Sequence, residues 1–528
     1  MRSEEWGYSE FDILNQVSPM LSRLLPTMKS PGLVGRYSWF WPALTLGLAA
    51  AAYLFAASCL DTLTWDGGGY VFNTIQRGRP AVPCSRYSDY PLLGVVALLS
   101  QFVSDSHWLA MVQGLVIAIL PMGSLILSFR FLSGPRLRPL RIWPVLGILL
   151  SALPGQIFLV AEAIPTAQIA WAMWAIIAAD LSITSFIWLS GLVLYLFFLH
   201  PTAALVYAVS GGLLLLKSQA CQKRAVCLRL GTALFVLAAI RLWYALVIAN
   251  SYERGEQTLE KTYQTFLDAR AALVFVPLVY LLAFTILMNF KSKSVWRRWM
   301  ETGRSPRSGT VNRKLRTGSC ELITGGNGAR STRISNSFSF WTGTAVSGVF
   351  LAYGLGWAAD PSLWGSAFGY RRFVLLTTIP LLWPAILHWR RCQLNPPPSE
   401  FNDGRRTGLT GAWQMAGLAG IFLWIFAVQS LSWRSELKRF ISDLDRAPKP
   451  VVTSDDLPWI AGSSLNHWAS TQLSCVLQGR TVRKLFALHG TDVQRRSILL
   501  FAGTWFNERD RWFEFQLEPG GDEVFANH

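Results

Sequence analysis

The sequence predicts an all-α polytopic membrane protein with about eleven transmembrane helices and a small C-terminal extracytoplasmic domain. Three observations carry that expectation. Apolar stretches approaching the ~17–25 residues needed to cross a bilayer recur from residue 41 to residue 431. The loops between them are alternately rich and poor in Lys and Arg, as the positive-inside rule requires. Beyond residue 431 the composition shifts to twelve Lys/Arg and twelve Asp/Glu among short apolar bursts, a pattern of short strands between turns.

Bulk properties narrow the function classes. The 528 residues are 52% hydrophobic and only 15% charged, which argues against a purely soluble assembly. The net charge of +17 is spread through the loops rather than gathered in one patch, so it points to membrane orientation and not to nucleic acid. Seven cysteines and six histidines show no Cys-x-x-Cys pair and no zinc spacing.

Residues 1–38 are polar and of mixed charge, and form a cytoplasmic segment without a cleavable signal core. The run 41–60 then serves as a signal anchor. Residues 61–106 make the first extracytoplasmic loop, in which the apolar stretch 91–103 is too short to span and is expected to lie as a helix in the interface. Ten further spans are expected at 107–129, 142–160, 166–179, 184–199, 202–216, 230–249, 271–290, 340–357, 373–387 and 412–431. This count puts Arg130, Arg136, Arg138 and Arg141 on the same side as Lys217, Lys223, Arg224 and Arg229. The pairs Arg390/Arg391 and Arg405/Arg406 join them, as does the flexible, basic, Gly- and Ser-rich loop 291–339. That side is cytoplasmic and holds the N-terminus, while residues 432–528 form the extracytoplasmic domain. A bacterial inner membrane fits this multi-pass arrangement, and an endoplasmic reticulum would give similar loop statistics.

The stretch around which the chain is organised follows the first span: Asp61-Thr-Leu-Thr-Trp-Asp66-Gly-Gly-Gly-Tyr70. Its two carboxylates stand where a helix leaves the bilayer, its glycines permit close backbone approach, and its aromatic residues suit a membrane-water boundary. Asp61 and Asp66 would serve equally well as a helix cap and a turn former. Cys59 and Cys84 flank this region on the outer side, and either a disulfide or a buried thiol at Cys59 satisfies the pattern.

Further polar residues collect at the outer ends of other spans. Glu162 precedes Pro165, His200 sits in an outward turn, and Arg371-Arg372 opens the span 373–387. Arg241 lies inside the run 230–249, where it needs a partner or a watery cavity. Ionisable groups at membrane depth are costly and mark functional candidates, although Glu162 and His200 also suit ordinary helix-end contacts and Arg371/Arg372 also suit snorkelling to lipid phosphate.

Across most of residues 39–431 the chain resembles the GT-C-type integral membrane glycosyltransferases, which take sugars from polyprenyl-phosphate donors. Trp65-Asp66-Gly67-Gly68-Gly69-Tyr70 matches the position of their acidic motif in the first extracytoplasmic loop. Ala161-Glu162-Ala163-Ile164-Pro165 is similar to a Ser-Glu-x-x motif of some mannosyltransferases of the class, and Tyr370-Arg371-Arg372-Phe373 with Pro380 to an Arg-Tyr…Pro element of others. The chain departs from the pattern in having Asp61 five residues before Asp66 instead of an adjacent acidic pair, and Ala161 where serine is usual.

The resemblance implies Asp66 as general base toward an acceptor hydroxyl. It implies Asp61, Tyr70, Glu162, His200, Arg241, Arg371 and Arg372 as substrate-binding residues, with the guanidinium groups meeting the leaving phosphate. Glu162 would also raise the pKa of Asp66 by like-charge repulsion. The partners implied are the polyprenyl-phosphate sugar, a lipid, glycan or protein acceptor, and membrane lipids. No protein metal ligand set is assigned, while Mg2+ or Mn2+ held through water by Asp61 and Asp66 stays open. The reading from a different class is a polytopic transporter or lipid flippase, in which the same polar residues line a pathway.

Overall fold

The computed structural model describes residues 40–64, 66–80, 88, 90–134, 136–152, 163–219, 223–248, 381–382, 385–386, 388–390, 404–449, 451–463, 465, 469–479, 481–487 and 514–515. These residues are mainly helical, which bears out the all-α class. Among the described residues four helices are long and apolar enough to cross a membrane: α1 (Phe40–Ser58), α4 (Ser106–Phe131), α9 (Arg224–Trp243), and α10 (Gly404–Arg446) from Trp413 onward. Shorter apolar helices are α3 (Tyr90–Leu99), α6 (Ala163–Ala178), α7 (Ile183–Phe197) and α8 (Ala203–Ser218). The expected spans at 271–290 and 340–357 and the loop 291–339 lie outside the described residues, as does segment 1–38.

The bundle is organised by where small residues fall. On α1, Ala49, Ala52, Tyr53, Ala56 and Ala57 recur at helical spacing and are all buried. That flat face lets α4 and α10 approach closely, the means by which helices associate in lipid. At Gly114 of α4 a Cβ would come within 3.0 Å of the Ala57 Cβ. Helices α8 and α9 cross glycine to glycine, a Cβ on Gly211 falling 3.0 Å from the Gly231 carbonyl oxygen.

Helix α6 is apolar on every side, and residues 166–177 are all buried, so it is the central helix. It contacts α4, α7, α8 and α5 (Ile142–Leu150). Helix α7, opened by a Ser182/Ser185 capping box, instead leaves Ile183, Phe186, Ile187 and Leu194 exposed. In a membrane protein such side chains face lipid or a neighbouring span.

One end of the bundle is fastened by basic side chains. Lys217 Nζ donates to the carbonyls of Ile177, at 2.7 Å, and Ala179, closing the end of α6. Lys223 Nζ donates to Leu181 O, while Arg141 donates to Leu132 O and Phe129 O at the end of α4. Cations here meet the negative ends of helices, so the charge asymmetry of the loops has a local structural use.

At the opposite end a second core forms. Helix α10 has 43 residues, roughly 65 Å of helix and twice the length of a span. Its latter part turns Trp433, Leu437, Phe440 and Leu444 inward and leaves Arg434, Lys438 and Arg439 exposed. The inward residues join Leu63, Val71, Phe72 and Ile75 of the first loop with Leu473 and Val476 of α11 (Ser470–Gln478) and Phe486. Strands β1 (Val451–Thr453) and β3 (Leu485–Ala487) pair in parallel, Val452 opposite Phe486, and β2 (Thr481–Val482) pairs in parallel with β4 (Glu514–Phe515). The boundary expected after residue 431 therefore falls inside one continuous helix, and the described C-terminal residues share a core with the first loop.

Candidate functional site after the first helix

Helix α1 ends at Ser58, and two residues on, the backbone of Leu60 is left-handed with φ 63°. A leucine there is strained by roughly 1–2 kcal/mol and must be held by its surroundings. Three contacts hold it. Trp433 Nε1 of α10 donates to Leu60 O at 3.0 Å, Ser430 Oγ of α10 donates to Asp61 Oδ2 at 2.6 Å, and Thr62 Oγ1 donates to Ala110 O of α4 at 2.8 Å. Asp61, Thr62 and Leu63 form a single buried 3-10 turn.

The turn feeds directly into α2 (Asp66–Arg77), with Asp66 as its first residue. Gly68 marks a close approach: a Cβ on it would lie 3.1 Å from Leu63 O and 3.3 Å from Leu473 Cβ, so a side chain there requires the turn and α11 to give by a few tenths of an ångström. Tyr70 follows on α2 and is buried. Ser106 Oγ at the start of α4 donates to Val476 O of α11, tying the same region to the C-terminal segment.

Asp61 is fully buried, and its Oδ1 has no hydrogen-bond partner among the described residues. Burial pushes its carboxyl up to about 8, the Ser430 hydrogen bond offsetting only part of that rise. Asp61 is enclosed in this fold, and one of its two carboxyl oxygens is already engaged by Ser430.

His200 and Arg241 sit at the ends of other helices. His200 Nδ1 accepts the Thr202 backbone N–H at 3.3 Å and lies 2.7 Å from Thr202 Oγ1, an arrangement that starts the turn into α8. Arg241 is buried in α9, with its guanidinium carbon 5.8 Å from the Phe197 ring centre and 5.3 Å from that of Tyr244. These cation-π contacts offset part of the cost of placing the charge among apolar helices. A π-helical turn, Tyr244–Ile248, follows immediately, a feature that recurs at functional sites. The first loop reaches this region too, because Ser88 Oγ donates to Tyr195 O near the end of α7.

Glu162, Arg371 and Arg372 lie outside the described residues, as does Cys84. Cys59 is a buried free thiol, so the structure carries no disulfide there. Sequence reasoning did not single out Ser430, Gln429 or Gln113. Gln113 and Gln429 are buried, and neither side-chain oxygen nor nitrogen of either has a hydrogen-bond partner among the described residues. The pointer to them was present: each interrupts an otherwise apolar run, and a polar group there is costly. Compared with known protein families, curated proteins and solved structures, the chain matches none.

Proposed function

We propose that the chain is a GT-C-like membrane glycosyltransferase with about eleven spans, acting at the end of the bundle where the first loop and the C-terminal segment meet. The observation that carries this reading is the turn 60–64, pinned by α4 and α10, which presents Asp66 at the head of α2 directly after the first long apolar helix. In this reading the cytoplasm lies at the Lys217–Arg141 end and the chemistry on the extracytoplasmic face.

The Asp66 carboxylate takes the acceptor hydroxyl proton as that oxygen bonds to the sugar anomeric carbon. The bond between that carbon and the donor phosphate oxygen breaks, and the leaving group departs as polyprenyl phosphate with its charge met by guanidinium groups. Arg371, Arg372 and Arg241 are assigned that contact, and Tyr70, Glu162 and His200 the sugar and acceptor. The burial of Asp61 changes its expected part from substrate contact to positioning, since it faces Ser430 and not solvent. Asp66→Asn is expected to reduce sugar transfer from a polyprenyl-phosphate donor by at least ~100-fold while the full chain still inserts. The assay is radiolabelled sugar transfer in membranes, and wild-type transfer by that variant would sink the assignment.

One observation favours the transporter reading. Gln414 and Gln429 are both buried on α10, and fifteen residues of helix separate them by roughly 22 Å, most of a bilayer core. Polar groups at two depths suit a pathway. Under that reading Gln429→Leu and Asp66→Asn both lower solute flux in proteoliposomes, and the wild type transfers no sugar from a polyprenyl-phosphate donor.

A further inference from the structure

An open-sided cavity of about 60 Å³ lies near the basic end of the bundle, away from Asp61 and Asp66. Its lining includes Leu132, Leu382 and four tryptophans, Trp143, Trp171, Trp174 and Trp389, and is almost wholly apolar. Three of the indoles have their N–H engaged with protein: Trp143 with His388 Nδ1, Trp174 with Ser210 Oγ, and Trp389 with Ala178 O. Their hydrogen-bonding capacity is spent, and what they offer an occupant is apolar ring surface.

Arginines adjoin the lining residues in sequence. Leu140, which lines the cavity, is flanked by Arg138 and Arg141 within the turn Arg138–Arg141, and Trp389 is followed by Arg390. Arg138 is exposed and Arg141 half-buried. An apolar slot whose lining residues adjoin arginines, at the end of a membrane bundle, has the chemistry of a lipid with an anionic headgroup. The volume is that of roughly two waters, enough for the end of a narrow hydrocarbon chain. An unbranched acyl chain enters such a slot more readily than a methyl-branched isoprenoid.

We infer that this cavity binds the acyl chain of an anionic glycerophospholipid in the bilayer leaflet at the basic end, with Arg138 and Arg390 receiving its phosphate while Arg141 stays on the carbonyls that end α4. The inference does not depend on glycosyl transfer. The test is photolabelling of the full chain in nanodiscs, using phosphatidylglycerol with a diazirine near the acyl terminus, followed by peptide mapping. Phosphatidylcholine carrying the same tail and a diazirine-bearing isoprenyl phosphate serve as comparison probes.

Phosphatidylglycerol is expected to label the peptides containing Trp143 and Trp389 at least fivefold more than phosphatidylcholine does. Ala175→Phe, which fills the slot, should abolish that labelling. Because this variant alters a packed helix, Arg138→Gln with Arg390→Gln provides a second readout and should remove the preference for phosphatidylglycerol. Labelling confined to the outward faces of α7 and α9, around Ile187 and Val236, would overturn the site. Equal labelling by phosphatidylcholine would overturn the role of Arg138 and Arg390, and stronger labelling by the isoprenyl phosphate would overturn the glycerophospholipid.

Discussion

Asp61 is a carboxyl whose environment favours its proton. In the fold its pKa is about 8, against an ordinary 3.8, because burial penalises the charged form more than Ser430 relieves it. The native state therefore holds a proton that the unfolded chain releases. This contribution to stability is fully present below pH ~4 and is lost as pH rises through ~8. Asp61→Asn cannot ionise yet keeps an acceptor for Ser430, so the variant should lose less thermal stability between pH 5 and 9 than the wild type. Melting temperatures in detergent across that range test the sign, and parallel curves would mean that Asp61 does not titrate in the fold. Ser430→Ala should cost ~1–3 kcal/mol, since it leaves a second buried carboxyl oxygen without a donor. The candidate acidic motif was visible in the sequence, but the hydrogen bond that fixes it was not. Asp61 and Ser430 are 369 residues apart, and neither composition nor spacing relates them.

At the scale of elements, hydropathy located the apolar helices of the bundle but not α2 or α11, whose sequences are mixed. The runs expected at 41–60, 107–129, 166–179, 184–199 and 202–216 correspond to α1, α4, α6, α7 and α8 within a few residues at each end. The short stretch expected to lie in the interface is α3. What hydropathy does not give is which helix is central, because α6 and α7 read alike as apolar strings while one is buried all round and the other is not. That difference lies in packing, and Gly147 of α5 shows how closely it is drawn. A Cβ there would fall 1.8 Å from Trp171 Nε1, because the indole lies directly over the glycine. Gly147→Ala must displace either the ring or the helix, and should cost at least the ~1–3 kcal/mol of an overpacked core. Chemical or thermal unfolding of the two proteins in the same detergent measures it. A neutral effect would mean that α5 and α6 slide past each other freely.

The whole molecule is joined by α10, and the sequence misleads at that point for a physical reason. Charged residues begin at Arg434, which reads as the end of a span and the start of a separate domain. In the structure the helix carries on to Arg446, and the same charges occupy its exposed side while Trp433, Leu437, Phe440 and Leu444 turn inward at spacings of four, three and four. The partners of that stripe come from both ends of the chain: Leu63, Val71, Phe72 and Ile75 from the first loop, and Leu473, Val476 and Phe486 from the C-terminal segment. A domain that folds by itself can be removed without harm to its neighbours, whereas half of a shared core cannot. Ending the chain after Arg446 keeps all of α10 but uncovers the apolar side of α2, at Val71, Phe72 and Ile75. Cleavage of residues 61–106 by a protease added to the first-loop side should then accelerate about tenfold or more, while the helices toward the Lys217 end stay protected. Under the glycosyltransferase reading transfer should fall in parallel, because Asp66 stands at the head of the helix that loses its support. Unchanged cleavage of the first loop would show that it folds without the C-terminal segment, and the shared core would then contribute little to holding Asp66 in place.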